Sequence, residues 1–284
     1  METAILEKTV VGRENRLKVL IADDSEEAIE QFCSWVLERW PKAELHRAQT
    51  PEAAVREAVK HGIENFVLDL DFGMGQDSGA VIARKILESR LTEPSLRTRI
   101  LFRTAHGGDP GYLHQIEKLI TDENHKLDVW GFLDKGMAAK RLAQNAAEQI
   151  FIYELSFTDI FNQRLKDSPS KELSNLEFTV LIYICLGVTN EGMGWLIGAS
   201  RQSVERIMTE LYRKLVIPTR RDAPRGVPAM LERRTRFCYE VIIKGLVNPN
   251  LLKEEDAELR EVLKKNRPSI DQLYISQRWL KMNT

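Results

Sequence analysis

Residues Lys18 to Leu37 read K-V-L-I-A-D-D-S-E-E-A-I-E-Q-F-C-S-W-V-L. The run Lys18 to Ala22 is apolar after its first residue and stops at two aspartates, as a buried strand does where it leaves a sheet. Ser25 then stands as the cap of a segment in which Ile29, Phe32, Cys33, Val36 and Leu37 recur at helical spacing. The same sequence of strand and helix continues downstream. Ala43 to Ala48, Asn65 to Leu70, Arg99 to Arg103 and Val129 to Leu133 read as further strands, and Pro51 to Lys60 and Gly79 to Leu87 as helices. Such alternation predicts an α/β fold, a five-stranded parallel sheet doubly wound with helices on both faces.

In open sheets of this kind a ligand sits outside the carboxyl ends of the strands, where the strand order reverses. That rule selects a small set of polar residues. The first strand ends at Asp23 and Asp24, the third at Asp69, the fourth at Thr104 and Ala105, and the fifth runs through Asp134 into Lys135. Any one of them alone reads as a helix cap, a turn or a solvated charge. Together they place carboxylates, a hydroxyl and an ammonium group on one edge. Clustered carboxylates favour a hard divalent cation with oxygen ligands, and Mg²⁺ is the natural choice. An ionised carboxylate on the third strand could then attack phosphorus, with Lys135 and Thr104 bonding phosphoryl oxygens. Within F-V-L-D-L-D-F-G-M-G-Q-D-S-G, residues 66–79, Asp69 ends the apolar run, while Asp71 and Asp77 fall in the loop beyond it.

On these positions, residues 17–150 resemble the receiver domain of two-component response regulators, a flavodoxin-like fold. The resemblance implies that Asp69 is the phosphoacceptor, Asp23 and Asp24 the acidic pair, Thr104 the switch hydroxyl and Lys135 the family's lysine. It implies Mg²⁺ held by Asp23, Asp24, Asp69 and the backbone carbonyl of Asp71, and Phe132 as the switch aromatic. The loop F-G-M-G-Q-D-S-G is longer than the family's usual M-P followed by D-G, and Gly136 stands where a proline is frequent. The D-L-D of residues 69–71 also resembles the first motif of haloacid-dehalogenase-type phosphatases, with Asp71 as acid and base. That family carries the motif on its first strand, whereas here an acidic pair precedes it.

The composition fits this reading. The chain has 284 residues, of which 43% are hydrophobic and 29% charged, enough for two ordinary globular domains. A net charge of -1 gives no overall attraction to a polyanion, so a nucleic-acid site must come from local clustering of Arg and Lys. The three cysteines, Cys33, Cys185 and Cys238, are odd in number and widely spaced, which argues against a disulfide framework or a zinc site built on thiolates. The N-terminus has no signal-peptide pattern and no apolar run approaches a membrane span, so the expected compartment is the cytoplasm.

The second half changes character at Leu173. Ser174 and Glu177 form the pattern of a capping box ahead of Leu176, Val180, Leu181, Ile184 and Cys185, which share a helical face ending at Gly187. A short helix around Asn190 to Ile197, the turn Gly198-Ala199-Ser200 and a helix over Arg201 to Leu215 complete a helix-turn-helix pattern. Over residues 173–217 the text resembles the LuxR/NarL-type DNA-binding domain: L-S-x-x-E-x-x-V-L opens it, and G-A-S-R-Q-S-V-E-R-I-M-T-E-L-Y-R-K-L spans the turn and the recognition helix. Val204, Leu211 and Leu215 should face the core. Arg201, Gln202, Ser203, Glu205, Arg206 and Thr209 should lie on the groove side, with Arg213 and Lys214 near phosphates. Residues 220–236 hold six arginines against Asp222 and Glu232, which reads as a solvated face or as an added phosphate contact.

The expected domains are an N-terminal arm over 1–16, the receiver over 17–150, a helical linker over 151–172, the helix-turn-helix domain over 173–217 and a helical extension over 218–284. The expected activity is that of a transcriptional response regulator, phosphorylated on Asp69 by a partner histidine kinase and binding double-stranded DNA as a homodimer, with no membrane partner. It is not an enzyme beyond accepting a phosphoryl group and autodephosphorylation. The alternative is an atypical receiver in which a ligand or partner protein, in place of phosphate, controls DNA binding.

Overall fold

A computed structural model describes residues 17–91, 96–121, 127, 129–136, 139–168, 170–215 and 233–266. The expected arm over 1–16, and residues 218–232 and 267–284 of the extension with three of the six arginines of 220–236, lie outside the described residues. The chain forms two compact units, Met1–Asp167 and Ser168–Thr284.

The first unit carries five parallel strands: β1 (Lys18–Ala22), β2 (Glu44–Ala48), β3 (Asn65–Leu68), β4 (Arg99–Thr104) and β5 (Val129–Asp134). Their order is β2-β1-β3-β4-β5, so the chain reverses direction across the sheet between β1 and β3. β3 and β4 are buried along their whole length, as strands covered on both faces must be. Alternate residues feed two cores. Leu20, Phe66, Leu68, Ile100, Phe102 and Phe132 face one side, packed with α2 (Pro51–His61), α3 (Gly79–Ser89) and α4 (Pro110–Thr121). Val19, Ile21, Val67, Leu101 and Leu133 face the other, packed with α1 (Glu26–Arg39) and α5 (Lys140–Phe151). Ser25, Thr50 and Ser78 cap α1, α2 and α3 by accepting backbone N–H bonds. Leu37, expected on the buried face of α1, is instead exposed, because the apolar stripe of this helix is complete with Ile29, Phe32, Cys33 and Val36.

The segment 151–172, expected as a helical linker, divides between the two units. Phe157 extends the sheet past β5: its N–H donates to Trp130 O at 2.9 Å, and its carbonyl accepts the Phe132 N–H at 3.0 Å. Helix α6 (Asp159–Asp167) then folds back over β5 and α4. Phe161 is 2% exposed and meets Trp130 and Phe132 edge-on, at 5.1 and 5.6 Å between ring centroids. An otherwise open sheet edge is thereby covered.

The second unit is helical: α7 (Asn175–Cys185), α8 (Asn190–Leu196), α9 (Arg201–Lys214), α10 (Arg233–Ile243) and α11 (Pro249–Asn266). The predicted capping box is present, with Ser174 and Glu177 each accepting the other's backbone N–H. Val180, Leu181 and Ile184 of α7 are buried, whereas Leu176, expected beside them, is exposed in the first turn, and Cys185 is half-buried. Residues of the expected extension share this core. Phe237, Val241, Leu251 and Leu259 pack with Phe178, Met193, Val204, Leu211 and Tyr212. The Lys244 ammonium caps the end of α9 on the Leu215 carbonyl at 2.6 Å. All three cysteines are free thiols. Among the described residues no helix is long and apolar enough to cross a membrane.

Candidate functional site

β1 and β3 lie side by side at the reversal point, so the residues that follow them meet at one edge. Asp23 and Asp69 are both buried, and the Asp69 N–H donates to Ala22 O at 2.9 Å, which extends the β1–β3 ladder to the aspartate itself. Asp24 is exposed beside them. Each of Asp23, Asp24 and Asp69 offers an oxygen within 4.8 Å of the others. That spacing and the all-oxygen donor set suit a hard divalent cation.

The fifth strand supplies the cation of the site. Lys135 Nζ stands 2.7 Å from Asp69 Oδ2 and 2.7 Å from Asp23 Oδ2, bridging the two carboxylates. Its position is fixed by its own backbone N–H, which donates to Thr104 O at 2.7 Å. Asp69 Oδ1 accepts the Leu70 N–H at 2.8 Å, so both carboxylate oxygens are held. Burial nevertheless dominates: it lifts the Asp69 carboxyl from 3.8 to about 6, with the attraction of Lys135 and the repulsion of Asp23 acting as smaller, opposed influences. Thr104 is fully buried and its hydroxyl oxygen accepts the His106 N–H at 3.0 Å. Phe132 is also fully buried, under Phe161 of α6.

The three acids of residues 66–79 separate as their places in the sequence suggested. Asp69 faces Lys135, Asp71 Oδ1 accepts the Gly73 N–H at 2.9 Å with Oδ2 3.3 Å from His106 Nε2, and Asp77 pairs with Lys85. The longer loop takes up its length by burying Phe72 and exposing Met74 between Gly73 and Gly75, both at positive φ.

Two members of the site were not singled out in the sequence. Arg103 is 5% exposed, with Nη1 3.7 Å from Asp23 Oδ2 and Nη2 donating to Gln31 Oε1 at 3.0 Å; its guanidinium carbon lies over the Phe32 and Trp35 rings, 5.5 and 5.8 Å from their centroids. Burial pulls its pKa below the ordinary arginine value even with Asp23 alongside. The signal was present in R-I-L-F-R-T, where a strand covered on both faces buries every position, the second arginine included. Gly79 is the other. A Cβ there would stand 2.0 Å from the Asp69 carbonyl oxygen, so only glycine lets the start of α3 press against the backbone of Asp69.

In the second unit, α8 and α9 are joined by a tight turn. Gly198 takes φ +64°, and a Cβ on Gly194 would stand 2.6 Å from Ala199 O. Ser200 caps α9 through the Ser203 N–H at 3.1 Å. Val204, Leu211 and Leu215 are buried as expected from their spacing. Arg201, Gln202, Glu205, Arg206, Thr209 and Arg213 are exposed together, with Ser203 half-buried. Arg201 is bound to Glu205 and Glu191 at 2.9 Å each, and Arg213 to Glu210. Lys214 turns to the capping box, 2.8 Å from Glu177, and donates to Glu172 O at 2.7 Å. Among the described residues, Arg206 is the arginine of this face that makes no ion pair.

No family model and no curated protein matches the chain. Solved structures do. RcsB from Salmonella enterica serovar Typhimurium, bound to promoter P1flhDC in the presence of the phosphomimetic BeF₃⁻, is 18% identical over 81% of this chain and 99% of its own, with a TM-score of 0.45. The response regulator ChrA of a heme-sensing two-component system is 16% identical over 82% of this chain and 100% of its own, with a TM-score of 0.41.

Proposed function

We propose that the chain is a DNA-binding transcriptional response regulator whose first unit is a receiver phosphorylated on Asp69. The observation that carries this reading is the meeting of Asp23, Asp24, Asp69, Thr104 and Lys135 at the carboxyl edge of a parallel sheet, at its reversal point, in a chain whose second unit is a helix-turn-helix. An Asp69 oxygen attacks the phosphorus of a phosphohistidine on a partner kinase. The P–N bond breaks, the imidazole nitrogen leaves with the bonding pair and takes up a proton, and an acyl phosphate forms on Asp69. Asp23, Asp24, Asp69 and the Asp71 carbonyl would hold Mg²⁺, which when bound offsets the charge of the phosphoryl oxygens. Lys135 and the Thr104 hydroxyl bond those oxygens in the product.

Phosphorylation adds one to two negative charges, roughly, next to Lys135 and Thr104 and biases the arrangement of β4, β5 and Phe132. The output is binding of double-stranded DNA by a homodimer, with α9 in the major groove and Arg201, Gln202, Ser203, Glu205, Arg206 and Thr209 toward the bases. Arg213 and Lys214 lie toward phosphates once released from their glutamates. A second reading, control by a ligand or partner protein in place of phosphate, is favoured by Lys135 bridging Asp23 and Asp69, since the acidic site is then already compensated without a metal.

Acetyl phosphate or BeF₃⁻ with Mg²⁺ decides between them. Mg²⁺-dependent labelling of wild type that is absent in Asp69→Ala, together with tighter DNA capture by the labelled form, is the expected result. Labelling that survives Asp69→Ala, or no labelling of wild type, overturns phosphoacceptance; capture of the same DNA regardless of labelling supports the second reading.

A further inference from the structure

Away from the aspartate edge, β2 and α2 bring together a second group of metal-binding side chains. His46 lies on β2, two residues before Ala48 and so on the same face, the one covered by α2. Glu57 and His61 are one turn apart on α2, in its last two turns. The donor atoms of the three lie within 4.8 Å of one another, and the side chains are only 12%, 24% and 32% exposed. α2 follows β2 and runs back along it, so this cluster sits toward the start of the strand, away from the end at which Asp23 and Asp69 meet.

We propose that His46, Glu57 and His61 form a binding site for a divalent transition metal, zinc above all. The hydrogen-bond pattern argues for it independently of the grouping. His46 Nε2 is 2.9 Å from Glu44 Oε1, a hydrogen bond to a carboxylate. The carboxylate can only accept, so Nε2 carries the proton and a neutral His46 presents its Nδ1 lone pair. That Nδ1 faces Glu57 Oε2 at 3.7 Å, too far for a hydrogen bond. The same Glu57 oxygen is 3.4 Å from His61 Nε2, and the two imidazole rings lie 4.5 Å apart between centroids. His46 Nδ1, Glu57 Oε2 and His61 Nε2 thus stand around one small space, at separations that a shared cation would bridge.

The gaps are of the right size. Zinc–ligand bonds of about 2.0–2.1 Å place neighbouring ligands of a tetrahedron roughly 3.3 Å apart, close to the 3.7 and 3.4 Å found from Glu57 to the two imidazoles. Two imidazoles and one carboxylate suit zinc, and disfavour magnesium and calcium, which take oxygen donors. Three protein ligands leave the fourth position to water or to a group from another molecule. Glu44 supplies the outer-shell carboxylate that orients the His46 ring. The metal would clamp an edge strand to the C-terminal end of the helix beside it.

The test is zinc binding to the full-length chain in excess Mg²⁺, added to compete for the aspartate site. Wild type is expected to retain one zinc more than His46→Gln/His61→Gln after dialysis, and zinc is expected to raise the melting temperature of wild type alone. Glu57→Gln, which preserves size, should lose the same equivalent. Glu44→Gln should retain all three ligands but bind about 10–100-fold more weakly, an effect of an outer-shell carboxylate and not of a surface ion pair. Cobalt substitution separates this site from Cys33, Cys185 and Cys238, since thiolate ligands add an intense near-ultraviolet charge-transfer band that imidazole and carboxylate do not. Equal zinc retention and equal thermal shift in wild type and the double variant, or a thiolate band removed by cysteine substitution, overturns the proposal.

Discussion

Replacing Asp69 by Asn should stabilise the metal-free protein at neutral pH, although it removes an ion pair with Lys135. Asp69 is 4% exposed, and burial raises its carboxyl from 3.8 to about 6 after Lys135 has had its effect. The folded state therefore binds this proton more tightly than the unfolded chain. Below about pH 4 the group is protonated in both states and costs nothing. As pH rises toward 6 the unfolded chain loses the proton first and stability falls; above 6 the loss is complete. At about 1.4 kcal/mol for each pH unit, the penalty at pH 7 is of the order of 3 kcal/mol. Asn has nearly the same shape and no charge, and Lys135 keeps Asp23 as a partner at 2.7 Å. Urea unfolding in EDTA, followed by fluorescence to which Trp35, Trp40 and Trp130 of the first unit contribute, should show the variant about 2–3 kcal/mol more stable at pH 7, with the gap closing toward pH 4. Mg²⁺ should narrow the gap from the other side by stabilising wild type. A gap that is absent at pH 7, or one that stays constant from pH 4 to 8, refutes the assignment of Asp69 as a carboxylate held against its own burial.

Phe161→Ala should destabilise the first unit by about 3–5 kcal/mol, the usual cost of emptying a buried aromatic site, where a side chain on a free linker would cost almost nothing; chemical unfolding of the first unit measures it. Gly194→Ala places a Cβ 2.6 Å from Ala199 O and should cost about 1–3 kcal/mol of second-unit stability, with DNA capture lost in parallel because the turn sets the angle of α9. Unchanged melting of that variant would mean the turn is not packed as described.

Much of the first unit was legible because the signal was local. Each strand that ends in an acid, a threonine or a lysine announces the end of a strand, and the reversal rule turns those ends into one edge. The bounds moved by one or two residues: β2 starts at Glu44, β3 stops at Leu68, β4 and β5 run on to Thr104 and Asp134, and α2 and α3 to His61 and Ser89. What was not legible depended on distant partners. Nothing in S-F-T-D-I-F-N-Q-R says that Phe157 will join the edge of β5 or that Phe161 will cover Phe132, because both facts require the sheet to exist first. Helix α10 is a similar case: Phe237 and Val241 find their core only against α7 and α9. Lys214 was placed near phosphates from its position on α9, and its bond to Glu177 appears only when the end of α9 meets the start of α7.

Charge balance in the aspartate site explains how three carboxylates coexist before any cation arrives. Asp23 is held on both oxygens: Oδ1 accepts the Ser25 N–H at 3.1 Å, and Oδ2 faces both Lys135 and Arg103. Asp69 spends one oxygen on the Leu70 N–H and shares the other with Lys135. Asp24 alone of the three is exposed to solvent. An incoming divalent ion would therefore meet Asp24 first and reach Asp69 only by competing with Lys135 for Oδ2. Arg103 stands on the other side of Asp23, its guanidinium held by Gln31 and lying over two aromatic rings. A site held only by Lys135 would leave Asp23 uncompensated whenever that lysine turned to Asp69 alone; the Arg103 guanidinium, 3.7 Å from Asp23 Oδ2, gives Asp23 a second cation.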